Sequence, residues 1–292
     1  MREAPKGIAA AAAAFAAWGL FPLYFKSLQG VPAPQVIAHR VVWSCLILLG
    51  CIALRGELKE VRVALADRRV VLRLALSATF ISVNWLVYVW AVMNGHVVDA
   101  SLGYFINPLV NVLLGIALLA ERLNRAQWTA VALASAGVAY LTFVAGHLPW
   151  ISLTLAFSFS SYGLIRKVVH VEALPGLAVE TLLLVPCASA YLLWCEASGS
   201  GAFGHSPPGI DALLIASGPL TAITLFLFAY GTRRIPYSTV GLLQYLAPSL
   251  QLACAVFVFH EPFARTHAVG FALIWTALII YAGDGLWRAR WP

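Results

Sequence analysis

Charge is what this sequence has least of. Only 11% of its 292 residues are Asp, Glu, Lys or Arg, where a soluble domain carries about 25%. Apolar residues make up 61%, and the mean hydropathy is +0.85. A chain of this length cannot enclose that much apolar surface, which excludes a water-soluble globule. No GxxxxGK[ST] phosphate loop occurs, so ATP hydrolysis is not a direct drive. No HExxH or GxSxG run occurs, and the seven histidines (His39, His96, His147, His170, His205, His260, His267) are scattered. That pattern argues against a membrane metalloenzyme or serine hydrolase. The five cysteines lie in or at the ends of apolar runs without metal-ligand spacing. They read as reduced, packed thiols, with no cofactor or metal expected. No low-complexity tail and no soluble domain is expected, which weighs against a non-transporting membrane partner or sensor. The net charge of +7 sits mostly in short loops between apolar runs. It therefore reads as a membrane-orienting signal, not a nucleic-acid footprint.

What is present is a repeat. Asp99–Glu121, DASLGYFINPLVNVLLGIALLAE, aligns without a gap on Thr239–Glu261, TVGLLQYLAPSLQLACAVFVFHE. The shift is 140 residues, placing Pro108 on Pro248 and Glu121 on Glu261. Each copy carries a stripe of small and polar residues in steps of three and four: Ser101, Tyr104, Pro108, Asn111, Gly115 and Gly241, Gln244, Pro248, Gln251, Ala255. Such steps put each stripe on one helix face.

A bilayer is crossed by about 17–25 apolar residues, and ten such segments are predicted. They are Gly7–Phe25, Gln35–Leu54, Val71–Val92, Val97–Ala120, Trp128–Val144, Pro149–Ile165, Leu177–Trp194, Ile210–Tyr230, Thr239–Phe259 and His267–Trp287. The first is expected to be an uncleaved helix: it holds Trp18 and Pro22 and runs on to Lys26. The Arg55–Val70 link is charged and expected to be amphipathic on the surface, and Glu196–Gly209 is a Gly/Ser/Pro loop. With the N-terminus inside, sixteen Lys and Arg fall on inner segments and two, Lys26 and Arg265, on outer ones. This is a strong positive-inside bias, and it puts both termini in the cytoplasm. Five helices per half is an odd number, so the second half enters upside down. The expected architecture is all-α: a polytopic membrane protein of two inverted five-helix repeats, residues 7–144 and 149–287. The first helix needs a shift of 144, Trp18-Gly19 falling on Tyr162-Gly163, while Asn84 falls on Thr224, Tyr88 on Phe228 and Ser77 on Ser217 at 140.

Several residues can carry chemistry, each with a plainer alternative. Arg40 lies about six residues into its span, ~9 Å deep; an arginine there faces a cavity or partner, or snorkels outward. Glu180 stands at Arg40 + 140. Together they can bind the two ends of a zwitterion, or Glu180 can take up a proton; alternatively Glu180 is a carboxylate favoured by the nearby helix N-terminus. Pro108 and Pro248 can kink their helices for alternating access or merely for packing. Tyr104, Asn107, Asn111, Gln244, Tyr245 and Gln251, with Asn84 and Tyr88, can line a polar, aromatic-walled cavity or hydrogen-bond between helices. Trp18 and Tyr162 can form stacking walls, or serve as packing residues. Glu121 and Glu261, at helix ends, are expected to cap or pair.

The runs AAWGLFPLYFK (Ala16–Lys26), AHRVVWS (Ala38–Ser44), NWLVYVWAVMNGHVVDASLGYFINPLVNVLLG (Asn84–Gly115), LPWISLTLAFSFSSYGLIRK (Leu148–Lys167), VETLLLVP (Val179–Pro186) and STVGLLQYLAPSLQ (Ser238–Gln251) span nearly the whole chain. They resemble the EamA-type members of the drug/metabolite transporter superfamily, and within them the RarD branch. The resemblance implies small-molecule transport in the bacterial inner membrane by a permease that works by alternating access. Protons as coupling ion and a homodimer through the small-residue fifth and tenth helices are further expectations. A non-transporting membrane enzyme or sensor is the alternative.

Overall fold

The computed structural model describes residues 3–119, 124–146, 148–232, 234–235 and 243–290. Among them the chain is helical and contains no β-strand. The helices in order are α1 (Glu3–Lys26), α2 (Ala33–Leu54), α3 (Leu58–Ala66), α4 (Arg68–Met93), α5 (Val97–Leu119) and α6 (Arg125–Ala145). They continue with α7 (Trp150–Val168), α8 (Ala173–Ala197), α9 (Pro208–Thr232), α10 (Leu246–Ala253) and α11 (Arg265–Arg290). One π-helical turn, Cys254–Val258, extends α10.

Local chemistry sets several of these ends. The Asp67 carboxylate accepts from the backbone N–H of Arg69 and Val70 and starts α4. Asn124 and Gln127 form a reciprocal capping box at α6, and Gly146 closes that helix at φ 69°. The short α3 buries only Val61 and Ala64 and leaves its other face exposed, as the amphipathic link between the second and third spans requires.

Among the described residues, six helices are long and apolar enough to cross a membrane: Pro5–Lys26, Ala33–Leu54, Arg68–Met93, Arg125–Val144, Leu174–Ala197 and Pro208–Phe228. Shorter apolar stretches run over Leu246–Val258 and Arg265–Tyr281. The two proline positions differ. Pro108 stands inside α5, whereas Pro248 stands in the first turn of α10, where a missing N–H breaks no intrahelical bond. The predicted ninth span begins at Thr239, and its residues 239–242 lie outside the described residues, as do Glu121 and Arg122.

Helices from the two ends of the sequence pack on one another. α1 lies against α9 and α10, α7 against α4 and α5, α2 against both α8 and α9, and α6 against α11. Without a hydrophobic drive between helices in lipid, close approach comes from small residues. A Cβ on Gly103 of α5 would stand 2.8 Å from the Ser152 carbonyl oxygen of α7, and one on Gly218 of α9 would stand 2.6 Å from the Trp43 backbone of α2. Gly103→Val and Gly218→Val are therefore expected to cost about 1–3 kcal/mol through overpacking. Melting of the detergent-solubilised protein, followed by tryptophan fluorescence, measures this. Gly50→Ala is the control: its added methyl meets nothing within 4 Å. Equal melting of all three variants would contradict the packing described.

Candidate functional site

Arg40 is the centre of the most unusual side-chain cluster. It is only 5% exposed, so its stem does not carry the guanidinium out to the surface. The Nε–H donates to Thr221 Oγ1 of α9 at 2.9 Å. The guanidinium carbon lies 4.2 Å from the Trp85 ring centre and 5.8 Å from those of Phe21 and Phe25. Three phenols, of Tyr24, Tyr88 and Tyr104, sit within its electrostatic reach. Among the described residues no carboxylate pairs with it.

The phenols are fixed unequally. The Tyr104 hydroxyl donates to Asn84 Oδ1 at 3.0 Å, and that of Tyr24 to the Leu213 carbonyl oxygen. The buried Tyr88 hydroxyl makes no hydrogen bond, although its ring stacks edge-on with Phe25 and Tyr104. Asn84 is fully occupied, since its Nδ2 donates to the Leu155 carbonyl at 3.0 Å and to Ser158 Oγ at 3.1 Å. It ties α4 to α5 and α7. Tyr24 and Thr221 escaped the sequence reading. Tyr24 looked like one aromatic among many at an apolar helix end, and Thr221 carries no signal until the fold sets it opposite Arg40.

Glu180 is not part of this cluster. It is 1% exposed on α8, with Oε1 3.8 Å from Arg166 Nη1 of α7. The Ser77 hydroxyl of α4 lies beside the carboxylate, and Tyr162 is close by, but neither carboxylate oxygen accepts a hydrogen bond. Arg40 stands where α2 packs on α9, and Glu180 stands where α8 packs on α4 beside Ser77. Arg166 was hidden in sequence because the Arg166-Lys167 pair reads as an orienting charge.

The remaining candidates spread along the same seam. Gln251, 3% exposed, donates through Nε2 to the Trp18 carbonyl at 3.3 Å, and its Oε1 has no partner. Trp18 packs on Phe15 and Phe228, Tyr162 on Phe159, and Tyr245 on Phe105 with Gln244 beside it. Asn107 is buried, with Oδ1 unbonded, while its backbone carbonyl accepts from Ser160. Asn111 is exposed, one turn beyond the cluster.

Two contacts close one end of the bundle. The π turn re-aims the chain after α10, with His260 at φ 53°. This lets the Glu261 carboxylate accept from Val97 and Val98 N–H at 2.9 Å each, capping α5. The 198–207 loop folds over α2: Gln35 donates to the Ser200 carbonyl at 2.8 Å and accepts from Ala202 N–H at 2.9 Å, and Phe203 covers His39. His205 Nε2 lies 2.7 Å from Glu196 Oε1 and holds the loop to the end of α8.

Comparison with known proteins adds a family. The family model described as the EamA-like transporter family matches residues 5–143. An uncharacterised transporter of Pseudomonas aeruginosa is 48% identical over 283 residues, covering 94% of this chain and 92% of that protein. The RarD protein of Streptomyces exfoliatus is 46% identical over 280 residues, covering 95% and 88%. One protein crystal structure superposes with a TM-score of 0.59 over 94% of this chain and 96% of that one; at 19% identity the likeness is one of fold.

The clasp of the 198–207 loop carries a pH signature. The carboxylate of Glu196 pushes the His205 imidazole above its ordinary value of 6.5. A raised value means the charged clasp is complete below 6.5 and is lost as pH rises through the raised value. Histidine NMR titration is expected to show His205 titrating above 6.5, and to show its midpoint falling in Glu196→Gln. An unchanged midpoint in the variant would contradict the pair.

Proposed function

The chain belongs to the RarD branch of the EamA-like transporter family, and from that premise we propose that it is a secondary transporter of a small metabolite or drug-like solute. It works by alternating access in the bacterial inner membrane, with both termini cytoplasmic. The observation that carries this reading is the burial of Arg40, with phenols of α1, α4 and α5 around it, where α1 and α2 pack on α9 of the other half. A charge so placed in a membrane protein marks a solute or ion path.

The cross-half packing supports two inverted repeats, 7–144 and 149–287. α1 contacts α9 and α10 as its counterpart α7 contacts α4 and α5. The solute pathway runs along Trp18, Arg40, Tyr88, Tyr104 and Gln251, and the Glu180–Arg166 pair is a gate or proton site. Protonating Glu180 would loosen its hold on Arg166 and free α7 to move against α8, a coupling that needs no ATP. Exposed apolar residues such as Trp128 and Phe143 on α6 and Ile279 on α11 are the lipid-facing surface. A homodimer would form on these same helices.

Intracellular and medium metabolite pools, compared in cells lacking and overproducing the protein, test the reading. At least one small solute is expected to shift with the wild type and not with an Arg40→Gln, Glu180→Gln double variant produced at equal level. A solute moved equally by both would keep the carrier and remove these residues from its path. No shift in any solute would contradict transport.

A further inference from the structure

We propose that the Arg40 cluster is a carboxylate subsite, and that the solute is a small organic anion with an apolar body whose carboxylate lies between the Arg40 guanidinium and the Tyr88 hydroxyl. This rests on the reading of the chain as a carrier with Arg40 on its path.

The first argument is charge compensation. A guanidinium carries five N–H donors and cannot shed its proton. Buried, it needs a counter-charge and bonds for those donors. The protein supplies one neutral acceptor, Thr221 Oγ1, and it bonds Nε only. The rings of Trp85, Phe21 and Phe25 compensate part of the charge but accept no conventional hydrogen bond. The two terminal nitrogens donate to no side chain or backbone oxygen among the described residues. They form the outer edge of the fork, which matches the two oxygens of a carboxylate.

The second argument concerns donors. Of the three phenols near Arg40, those of Tyr24 and Tyr104 are committed to Leu213 and Asn84. Tyr88 is 4% exposed, and its hydroxyl is buried without a partner. Native proteins seldom leave such a hydroxyl unbonded. A carboxylate that takes the Arg40 fork with one face can accept from Tyr88 with a remaining lone pair. Both orphaned features are thus satisfied by one ligand group.

The third argument is discrimination. A cation would be repelled by Arg40, and an uncharged solute would leave the guanidinium uncompensated. An acid group meets the site's one strong demand, while the aromatic walls fit an apolar body. Glu180 does not compete for this role, because it faces Arg166 instead.

The test uses the full chain in detergent micelles and three isosteric pairs that differ in charge: benzoate and benzamide, phenylacetate and phenylacetamide, 3-methylbutanoate and its amide. Tryptophan fluorescence and melting temperature are the readouts. The acid of at least one pair is expected to bind about tenfold or more tightly than its amide, the scale of a lost charged hydrogen bond. Tyr88→Phe is expected to weaken that acid by a similar factor while the unliganded melting temperature stays unchanged. Arg40→Gln is expected to abolish the preference; should it fail to fold, the wild-type pairs and Tyr88→Phe decide alone. Acids that bind no better than their amides, or a preference untouched in Tyr88→Phe, would overturn the proposal. The metabolite-pool comparison separates the two readings. A transported solute without an acid group keeps the carrier and sinks the subsite, whereas acid binding without any moved solute keeps the subsite and sinks the carrier.

Discussion

A guanidinium kept out of water constrains how the helices around it can meet. Arg40 sits on α2, but everything that makes its burial tolerable comes from elsewhere: Phe21 and Phe25 from α1, Trp85 from α4, Thr221 from α9. Moving any of these helices outward would expose the charge to lipid, where its cost is highest. The tyrosines then add a second layer of requirement. Tyr104 finds its partner in Asn84, and the Tyr104–Asn84–Ser158 chain stitches α5, α4 and α7 together. The charge on α2 and the polar links among the other helices thus belong to one network.

Close packing makes that network possible. Side chains can converge on Arg40 because backbones approach at Gly218 and Gly103, where a methyl group would collide with the facing helix. α1 packs on α9 and α7 on α4, so early and late helices of the sequence meet along one seam. Rigid helices meeting along such a seam can rock against each other without unfolding, provided the polar contacts across it are few and exchangeable. Arg40–Thr221, Gln251–Trp18 and the Glu261 cap on α5 are contacts of that kind.

Much of this was legible in the sequence, and the illegible part has physical causes. Helix positions followed from runs of apolar residues, since backbone groups in lipid must bond within their own segment. Arg40 and Glu180 stood out because charge inside a span is rare. What periodicity could not supply was who faces whom. Asn84 looked like a cavity residue, yet its three bonds are all interhelical. Arg40 and Glu180 looked like two ends of one site, but each found different company. Arg166 passed for an orienting charge and became the partner of Glu180. Pro248 aligned with the mid-helix Pro108 and stands instead in the first turn of α10. These are all facts of tertiary contact, which one-dimensional spacing does not encode.

The central claim is that the space around Arg40 opens to each side of the membrane in turn. Tyr88→Cys, in an otherwise cysteine-free protein, tests it with a small membrane-impermeant thiol reagent applied to intact cells and to inverted vesicles. The account predicts labelling from both faces, each at a rate that changes when solute is present. Labelling from neither face would mean a sealed structural core around Arg40, and labelling from one face alone would mean a fixed vestibule; either would contradict alternating access at this site.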